Sequence, residues 1–337
     1  MINSLLPQHW ITIAHASDIA AVRRVGTRMA QHLKFSDTRT GELAIILTEA
    51  ATNVLKHAGD GRIFLSEVRC GDAAGVSVLV MDRGPGIPNL PQALRDGVSS
   101  TGTAGTGLGA MRRLADEFDI YAPRERGTLC AMRLWRDGPT TCRVQADALC
   151  LPLAGEDENG DAAALVCLPQ AYAMIAVDGL GHGPDAARAA AAALHTFALQ
   201  PTLRPAAQLD ACHAALRPTR GAALAVAVID AQRDELHFAG VGNISAYLID
   251  GATRRQIVSH NGIVGHNVRK VQELSFPCPP GTLVILHSDG IATQWDLAQY
   301  PGLLQCSPAI IAGVLLRDHA RARDDVSVLV MRYAGQP

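Results

Sequence analysis

Two kinds of hydrophobic pattern follow one another along the chain. Up to about residue 135, apolar residues at helical spacing predict two long helices, from Ser17 to about Leu33 and from about Gly41 to His57, followed by two strand-like runs. From about residue 160, short apolar runs predict a β-rich region with a few helices. We therefore expect a chain of the α+β class that contains two domains.

One stretch of the second region joins a strand, a loop and a helix. From Tyr172 to Ala193 an apolar run ends at Asp178, a glycine-spaced loop follows, and an alanine-rich helix opens after Pro184. No Lys or Arg lies between Tyr172 and Arg188 to balance a carboxylate at the end of a buried strand, so a metal ion is the simplest partner. Asp178 is therefore a candidate metal ligand.

Three further aspartates stand at the edges of predicted strands. Asp161 precedes one strand, Asp289 follows another, and Asp324, followed by Asp325, precedes a third. Four carboxylates gathered in one place repel one another unless cations lie between them, and two divalent ions would balance most of the charge. Each residue alone also fits an ordinary turn at a strand end. The set as a whole favours a metal site.

The second predicted helix carries the first polar signal of the N-terminal region. Glu49 and Asn53 are four residues apart and therefore lie on one face of the helix, although this pair alone also fits a polar face in solvent. Asp82 then ends a strand, and Gly84 and Gly86 let the backbone pass close to a flat ligand. A carboxylate in that place can accept a hydrogen bond from an exocyclic amine of the ligand.

A polar, glycine-rich stretch leads into a third predicted helix, which we expect to reach Phe118. Gly102, Gly105, Gly107 and Gly109 lie before or at its start. Backbone amides at a helix start bind anions such as the phosphates of a nucleotide. The stretch differs from a P-loop because no lysine follows the glycines.

Composition narrows the class of protein. The chain has 337 residues, 48% of them hydrophobic and 18% charged, with a formal charge of -2, which is typical of packed globular domains. There is no basic stripe with interleaved aromatics, so we expect no nucleic-acid partner. The eight cysteines are scattered, which predicts free thiols in a reducing cytosol. No leader pattern and no apolar run near ~20 residues is present, so we expect a soluble cytoplasmic protein without a membrane partner.

Three motifs of the first region resemble a known family. They are E-x-x-x-N at residues 49–53, D-x-G-x-G at 82–86 and G-x-G-x-G at 105–109. In this order and spacing they resemble the Bergerat-fold ATPases of the histidine-kinase and anti-sigma-factor group. The segments EAATNVLKHAG and MRRLADEF look most like the RsbT and RsbW serine kinases of bacterial partner-switching pathways. The resemblance covers about residues 5 to 135.

This resemblance implies an ATP site. Asn53 would bind the Mg²⁺ that bridges the ATP phosphates, Asp82 would accept the adenine amino group, and Glu49 would act as general base for a substrate serine. The residues implied to shape the pocket and its lid are Gly84, Gly86, Gly105, Gly107, Leu108 and Gly109.

The aspartates of the second region fit another family. The set D…DGxGHG…SDG…DDxS resembles the PP2C-like protein serine/threonine phosphatases of the SpoIIE, RsbU and RsbX branch, over about residues 142 to 334. It implies a site for two Mn²⁺ or Mg²⁺ ions, which would activate a water for in-line attack on a phosphoserine, with Asp178 and Asp289 central to catalysis. The implied ligands are Asp161, Asp178, Asp289, Asp324 and the carbonyl of Gly179.

Two positions depart from the phosphatase pattern. The longer PP2C enzymes hold phosphate with an arginine near the start of the domain, for which Arg143 is only a candidate here. His182 is displaced from its place in the DGHGG form of those enzymes, so we assign it no acid role. Asp325 is expected to lie outside the set of ligands.

Together the two resemblances predict the domain organisation. Residues 1–136 would form a Bergerat ATP-binding α/β sandwich, 137–150 a linker, and 151–337 a PP2C-like α-β-β-α sandwich. Because RsbT/RsbW-like kinases and RsbX/SpoIIE-like phosphatases act on the same substrates, the pairing implies a bifunctional switch enzyme. It would phosphorylate a serine or threonine of a separate STAS-domain protein with ATP and Mg²⁺, and would remove the same phosphate.

The sequence leaves two alternatives for the first domain. It could be a nucleotide-responsive binding module that transfers no phosphate, or an anti-sigma module that captures a sigma factor. The partners implied are therefore the STAS-domain protein, a sigma or anti-sigma factor, and a second copy of the chain in a homodimer.

Overall fold

The computed structural model describes residues 2–3, 8–94, 107–140, 144–251, 253–268 and 271–335. Contacts divide the chain into two units, which we call the N-terminal unit and the C-terminal unit. The N-terminal unit consists of Leu6–Cys142 and Gln305–Gly313, and the C-terminal unit consists of Met1–Leu5, Arg143–Leu304 and Val314–Pro337.

The secondary-structure elements are numbered along the chain. The strands are β1 (Ile2–Asn3), β2 (Gln8–Ile13), β3 (Gly61–Cys70), β4 (Ala73–Asp82), β5 (Glu117–Tyr121), β6 (Leu129–Trp135), β7 (Gln145–Leu151), β8 (Asp161–Cys167), β9 (Ala171–Gly179), β10 (Ala222–Asp230), β11 (Glu235–Val241), β12 (Ser245–Asp250), β13 (Thr253–Ile257), β14 (Leu274–Pro277), β15 (Leu283–His287) and β16 (Val326–Arg332). The helices are α1 (Ala16–His32), α2 (Asp37–His57), α3 (Leu90–Ala93), α4 (Gly107–Leu114), α5 (Pro184–Leu199), α6 (Pro205–Leu216) and α7 (Pro308–His319).

The N-terminal unit is a five-stranded antiparallel sheet in the order β2-β3-β4-β6-β5, with α1 and α2 packed against it. The helical spacing of Leu43, Ile46 and Leu47 gives α2 a buried face, which joins one core with the sheet. α2 begins four residues before the predicted Gly41, because the Ser36 hydroxyl caps it by accepting a hydrogen bond from the Arg39 amide at 3.2 Å.

The third helix is shorter than the sequence predicts. α4 ends at Leu114, and Phe118, which we expected on the helix, lies in β5 instead. There Phe118 pairs with Met132 of β6 and packs against the core of the unit. Cross-strand pairing therefore overrides the helical spacing of the apolar residues.

The C-terminal unit contains two antiparallel sheets that share one core. The six-stranded sheet has the order β1-β8-β9-β10-β11-β14, and the five-stranded sheet has the order β13-β12-β15-β16-β7. Met174 and Phe238 of the first sheet join one hydrophobic cluster with Leu286 and Leu329 of the second. α5 and α6 cover the other face of the six-stranded sheet, where Phe197 is fully buried.

Alternation along β9 explains why its sequence reads as an unbroken apolar run. Met174 and Ala176 face the cluster shared by the two sheets, whereas Ala173, Ile175 and Val177 face the helices. Both faces of the strand are therefore buried, and apolar side chains are needed on each.

The structure places a strand inside the predicted linker. Residues 145–151 form β7, the edge strand of the five-stranded sheet, and Ala148 pairs with Leu329 of β16. The linker prediction for residues 137–150 is therefore wrong from Gln145 onward. The local sequence gave little indication of this strand, because its only partner lies some 180 residues later in the chain.

Among the described residues, Cys70 departs from the predicted set of free thiols. Cys70 is disulfide-bonded. The free thiols in the described part of the chain are Cys130, Cys150, Cys167, Cys212, Cys278 and Cys306. Four of these are buried, and burial raises the pKa of the Cys212 and Cys278 thiols to about 12, so these two act as small core residues.

None of the described helices combines the length and the hydropathy that crossing a membrane requires.

Candidate metal centre and nucleotide pocket

Two of the predicted metal ligands lie side by side on neighbouring strands. Asp161, the first residue of β8, is the direct partner of Asp178 of β9. The alternation of both strands turns the two side chains toward the cluster between the sheets, at the end of that cluster. Asp161 is only 4% exposed, and its Oδ2 is a buried atom without a hydrogen-bond partner. A buried, unpaired carboxylate oxygen is costly and calls for a cation.

The other two predicted ligands lie within electrostatic reach of this pair. Burial, together with the charges of Asp289 and Asp324, raises the pKa of Asp178 to about 7. Burial and the neighbouring Asp178 hold the pKa of Asp161 well above its usual value, and burial with Asp289 raises the pKa of Asp324. The structure therefore brings all four carboxylates to one edge of the sandwich.

These carboxylates are neighbours but do not yet form a closed cage. Within the described ranges, no three His, Cys, Asp or Glu side chains stand in an arrangement that could already hold an ion. Carboxylates close to one another repel, and a cation between them would balance their charge. The donor set, oxygen only and with one orphaned buried atom, fits Mn²⁺ or Mg²⁺.

Asp325 holds the loop in front of Asp161 and is not itself placed as a ligand. Its Oδ1 accepts the Leu153 amide hydrogen bond at 2.7 Å, and its Oδ2 accepts that of Gly160 at 2.9 Å. The Gly160 carbonyl in turn accepts the amide hydrogen bond of Gly179 at 2.9 Å. Both oxygens of Asp325 therefore accept hydrogen bonds from the backbone.

The loop after Asp178 packs closely against α5. A Cβ on Gly179 would come within 2.3 Å of the Ala186 carbonyl oxygen, so only glycine fits there. His182 lies further along the loop, largely exposed, with its Nδ1 2.7 Å from Glu156 Oε1. This contact ties the His182 ring to Glu156, and the charge of His182 also acts on Asp324. Arg143 lies outside the described residues.

Sequence reasoning missed three polar residues of this site. Asn243 donates its Nδ2 hydrogen bond to Asp289 Oδ2 at 2.7 Å and lies close enough to Asp178 to lower its pKa. Ser288 and Ser327, both fully buried, lie beside Asp161, and their hydroxyls oppose the rise in its pKa. The only local signal was the Gly-Asn turn between β11 and β12, which carries the chain from one sheet to the other.

The N-terminal unit brings together three of the predicted nucleotide-site residues. Glu49 and Asn53 project from one face of α2 toward the start of α4. A Cβ on Gly107 would lie 2.6 Å from Glu49 Oε2 and 3.6 Å from the amide of Asn53. The space between α2 and α4 therefore depends on glycine at this position. Leu108 packs beside the core and Gly109 is buried in α4, whereas Gly105 lies outside the described residues.

Asp82 lies near Val54 of α2, the residue that follows Asn53. A Cβ on Gly61 would meet both Val54 of α2 and Asp82, at 2.8 and 3.3 Å. The Asp82 Oδ1 accepts hydrogen bonds from the amides of Gly84 at 2.8 Å and Thr128 at 3.0 Å, which orients the carboxylate. The sequence gave no indication of Thr128, because it lies 46 residues later in the chain, just before β6.

Two glycines near Asp82 have backbones that only glycine adopts readily. Gly86 has φ +72°, and a Cβ there would lie 2.1 Å from the Pro123 carbonyl oxygen. Gly127, which sequence reasoning missed, has φ +74° and would meet the Asp82 carbonyl at the same distance. At both glycines the backbone packs closely without a side chain, so a flat ligand could approach the backbone beside Asp82.

The fold and the two sites define the class of this protein: it joins an ATPase-like nucleotide-binding domain to a PP2C-like domain. The family described as histidine kinase-like ATPase domain matches residues 13–134, and the family described as stage II sporulation protein E (SpoIIE) matches residues 169–334. The serine/threonine-protein kinase RsbT of Bacillus subtilis (strain 168) is 32% identical over 121 residues, which are 36% of this chain and 91% of RsbT.

Two solved structures resemble just over half of the chain. One is described as "The bacterial stressosome: a modular system that has been adapted to control secondary messenger signaling"; it is 27% identical, with a TM-score of 0.53, over 56% of this chain and 99% of that chain. RsbX in complex with magnesium is 19% identical, with a TM-score of 0.51, over 56% of this chain and 94% of that chain.

The chain belongs to the RsbT family of histidine-kinase-like ATPases through its N-terminal region, and it carries a SpoIIE-family PP2C-like domain in its C-terminal region. It is an enzyme that combines a serine-kinase homologue with a protein serine/threonine phosphatase domain, and this combination is that of a partner-switching regulator.

Proposed function

We propose that this chain adds and removes one phosphate on a serine or threonine of a separate STAS-domain protein. The N-terminal unit would transfer phosphate from ATP, and the C-terminal unit would hydrolyse the phosphoprotein. The observation that carries the proposal is the gathering of Asp161 and Asp178 with two further aspartates whose charges raise the pKa of Asp178. A site of this kind suits ions that polarise a phosphoryl group.

The proposed phosphatase site consists of four carboxylates and one backbone carbonyl. Asp161, Asp178, Asp289 and Asp324, with the Gly179 carbonyl, would hold two Mn²⁺ or Mg²⁺ ions. Ions bound there would lower the pKa of a water molecule, so that it could attack phosphorus as hydroxide. Asn243, which donates to Asp289 and lies beside Asp178, would help to hold these two proposed ligands from different sheets in register.

In the nucleotide site, the roles follow the geometry of α2. Asn53 would hold the Mg²⁺ that accompanies ATP, and Glu49, one turn before it, would accept the proton of the substrate hydroxyl. Asp82, oriented by two backbone amides, would accept the adenine amine through its carboxylate. Gly84, Gly86, Gly107, Leu108 and Gly109, with Gly105, would form the wall and the phosphate-facing side of the pocket.

The test uses the full chain and a purified STAS-domain protein, with phosphate followed by intact mass. With Mg-ATP the STAS protein should gain one phosphate, and after ATP is removed it should lose that phosphate when Mn²⁺ is added. Glu49→Ala should abolish the gain while ATP binding is retained. Asp178→Asn should abolish the loss while the gain is retained, so each variant is the control for the other.

The same experiment separates the proposal from its rivals. Tight ATP binding without any transfer by the unmutated chain would support a nucleotide-responsive binding module joined to a phosphatase. Capture of a sigma factor by the N-terminal unit would support an anti-sigma role. A chain that binds Mn²⁺ yet releases no phosphate from the phosphoprotein or from p-nitrophenyl phosphate would end the phosphatase assignment.

A further inference from the structure

A buried histidine sits directly before the Asp289 turn, and both of its ring nitrogens are used. His287, the last residue of β15, is fully buried. Its Nε2 lies 3.2 Å from the indole Nε1 of Trp295, and its Nδ1 lies 2.7 Å from the Ser288 carbonyl oxygen. Because an indole N–H can only donate, Nε2 accepts, and the ring proton resides on Nδ1, which donates to Ser288.

The indole is held in place from both sides. Trp295 and Tyr247 are each nearly fully buried, and Tyr247 stacks on His287 with ring centroids 5.7 Å apart and an interplanar angle of 15°. The guanidinium of Arg254 lies 4.0 Å above the Trp295 ring and 4.5 Å from that of Tyr247, and it donates to the Trp295 carbonyl at 2.5 Å. The donor of the hydrogen bond to His287 therefore has little freedom.

The chain of hydrogen bonds ends at the peptide that carries Asp289. The Ser288 amide donates to the Ser327 carbonyl at 3.1 Å, and the Ser288 hydroxyl accepts from the Ser327 amide at 3.0 Å. These bonds fix the N-terminal side of the peptide that links Ser288 to Asp289. The bond from His287 fixes the carbonyl of that same peptide, which sets its plane and therefore the direction of the Asp289 side chain.

We propose that Trp295 and His287 act together as positioning residues for Asp289. By locking the histidine tautomer and the peptide plane, they aim the carboxylate at Asp178, where Asn243 meets it. The proposal rests on the proposed function in one respect, namely that Asp289 is a metal ligand. Groups that hold a metal-bound side chain in place change metal affinity when they are removed, typically by 10- to 100-fold.

The test measures Mn²⁺ affinity by titration calorimetry on the full chain. Trp295→Phe keeps an aromatic ring but removes the N–H, and we expect the Mn²⁺ dissociation constant to rise about tenfold. His287→Asn should give the same rise, and the double variant should show no further increase, because the two residues act as one unit. At saturating Mn²⁺, the kcat of Trp295→Phe for p-nitrophenyl phosphate should return to within about twofold of the unmutated value.

The matched control removes a polar contact elsewhere in the same unit. In Tyr300→Phe the hydroxyl that lies 3.2 Å from Asp318 and 3.2 Å from His319 is lost, and Mn²⁺ affinity should not change. An unchanged dissociation constant in Trp295→Phe, or additive effects in the double variant, would overturn the positioning role even if the unmutated chain hydrolyses phosphate. An unmutated chain that neither binds Mn²⁺ nor hydrolyses phosphate would overturn the proposed function itself. If His287→Asn does not fold, Trp295→Phe alone decides.

Discussion

Asp161 and Asp178 face each other across the β8–β9 ladder, one nearly fully buried and the other with a pKa raised to about 7. Two carboxylates directly opposite each other on adjacent strands destabilise a sheet. Their position at the end of the core shared by the two sheets does not help the sheet to form, and the proposed metal site would account for it.

The Asp178 carboxylate should make stability depend on pH when divalent ions are removed. Its folded-state pKa of about 7 lies above the usual 3.8, so between these values the folded chain binds more protons than the unfolded chain, and the stability from this group falls as pH rises. Each unit of pKa shift corresponds to about 1.4 kcal/mol. Urea unfolding in EDTA should show Asp178→Asn gaining stability over the unmutated chain from pH 4 to 8.

The comparison with Asp178→Asn is needed because another group acts in the opposite direction. Burial lowers the pKa of His287 to about 4, so its contribution to stability is lost as pH falls from about 6.5 to 4. Subtracting the two unfolding profiles cancels this term. A difference between the two proteins that stays constant with pH would contradict the environment described for Asp178.

Divalent ions should stabilise the chain by binding to its folded state only. At a Mn²⁺ concentration 100 times the dissociation constant, the free energy of unfolding should rise by about 2.7 kcal/mol per site. Asp178→Asn should remove this gain. Asp185→Asn is the control, because Asp185 is a nearby acid of α5 that is paired with Arg188 and Arg220. Equal stabilisation of all three proteins would indicate binding elsewhere.

Gly107→Ala should impair phosphate transfer without unfolding the N-terminal unit. The new Cβ would lie 2.6 Å from Glu49 Oε2, the mobile end of a side chain, so Glu49 would move and the helix would not. We expect transfer to the STAS-domain protein to fall at least tenfold, about 1.4 kcal/mol in transition-state free energy. Gly41→Ala is the matched control, since a Cβ there meets nothing within 4 Å. Transfer rates that are alike in both variants would contradict the predicted role of Glu49.

Adjacent aspartates should have opposite phenotypes. Asp325→Ala leaves the amides of Leu153 and Gly160 without their acceptor, and at about 1.5–3 kcal/mol for each bond to a charged group it should destabilise the C-terminal unit strongly. Asp324→Ala relieves repulsion from Asp289 and should leave stability equal or higher, yet abolish metal-dependent hydrolysis. Urea unfolding and phosphate release measure the two effects. Loss of stability in Asp324→Ala with activity retained would reverse the assignment.

The sequence was informative where a signal is local. An apolar run that stops at a charge marks Asp178, and a four-residue spacing on one helix marks Glu49 and Asn53, because each pattern lies within a single element. Sequence reasoning missed Asn243 and Thr128 because each one contacts a residue far away in the chain. Such contacts produce no periodic pattern in the sequence.

The same reason explains the errors in the fold. A seven-residue strand at Gln145–Leu151 reads as part of a linker until its partner β16 is known, and Phe118 fits a helical pattern until β6 pairs with it. The thiol prediction failed at Cys70 because spacing alone does not show which cysteines meet in space.

The ladder between β7 and β16 also determines how this chain can be divided. β7 begins the phosphatase region and β16 lies near its end, and the two strands are hydrogen-bonded neighbours. The five-stranded sheet therefore needs both ends of this region. A fragment that starts at residue 151, where sequence patterns suggest a boundary, would leave Val326–Arg332 with a bare, apolar edge and invite association between copies. Any excised phosphatase must therefore begin ahead of Gln145.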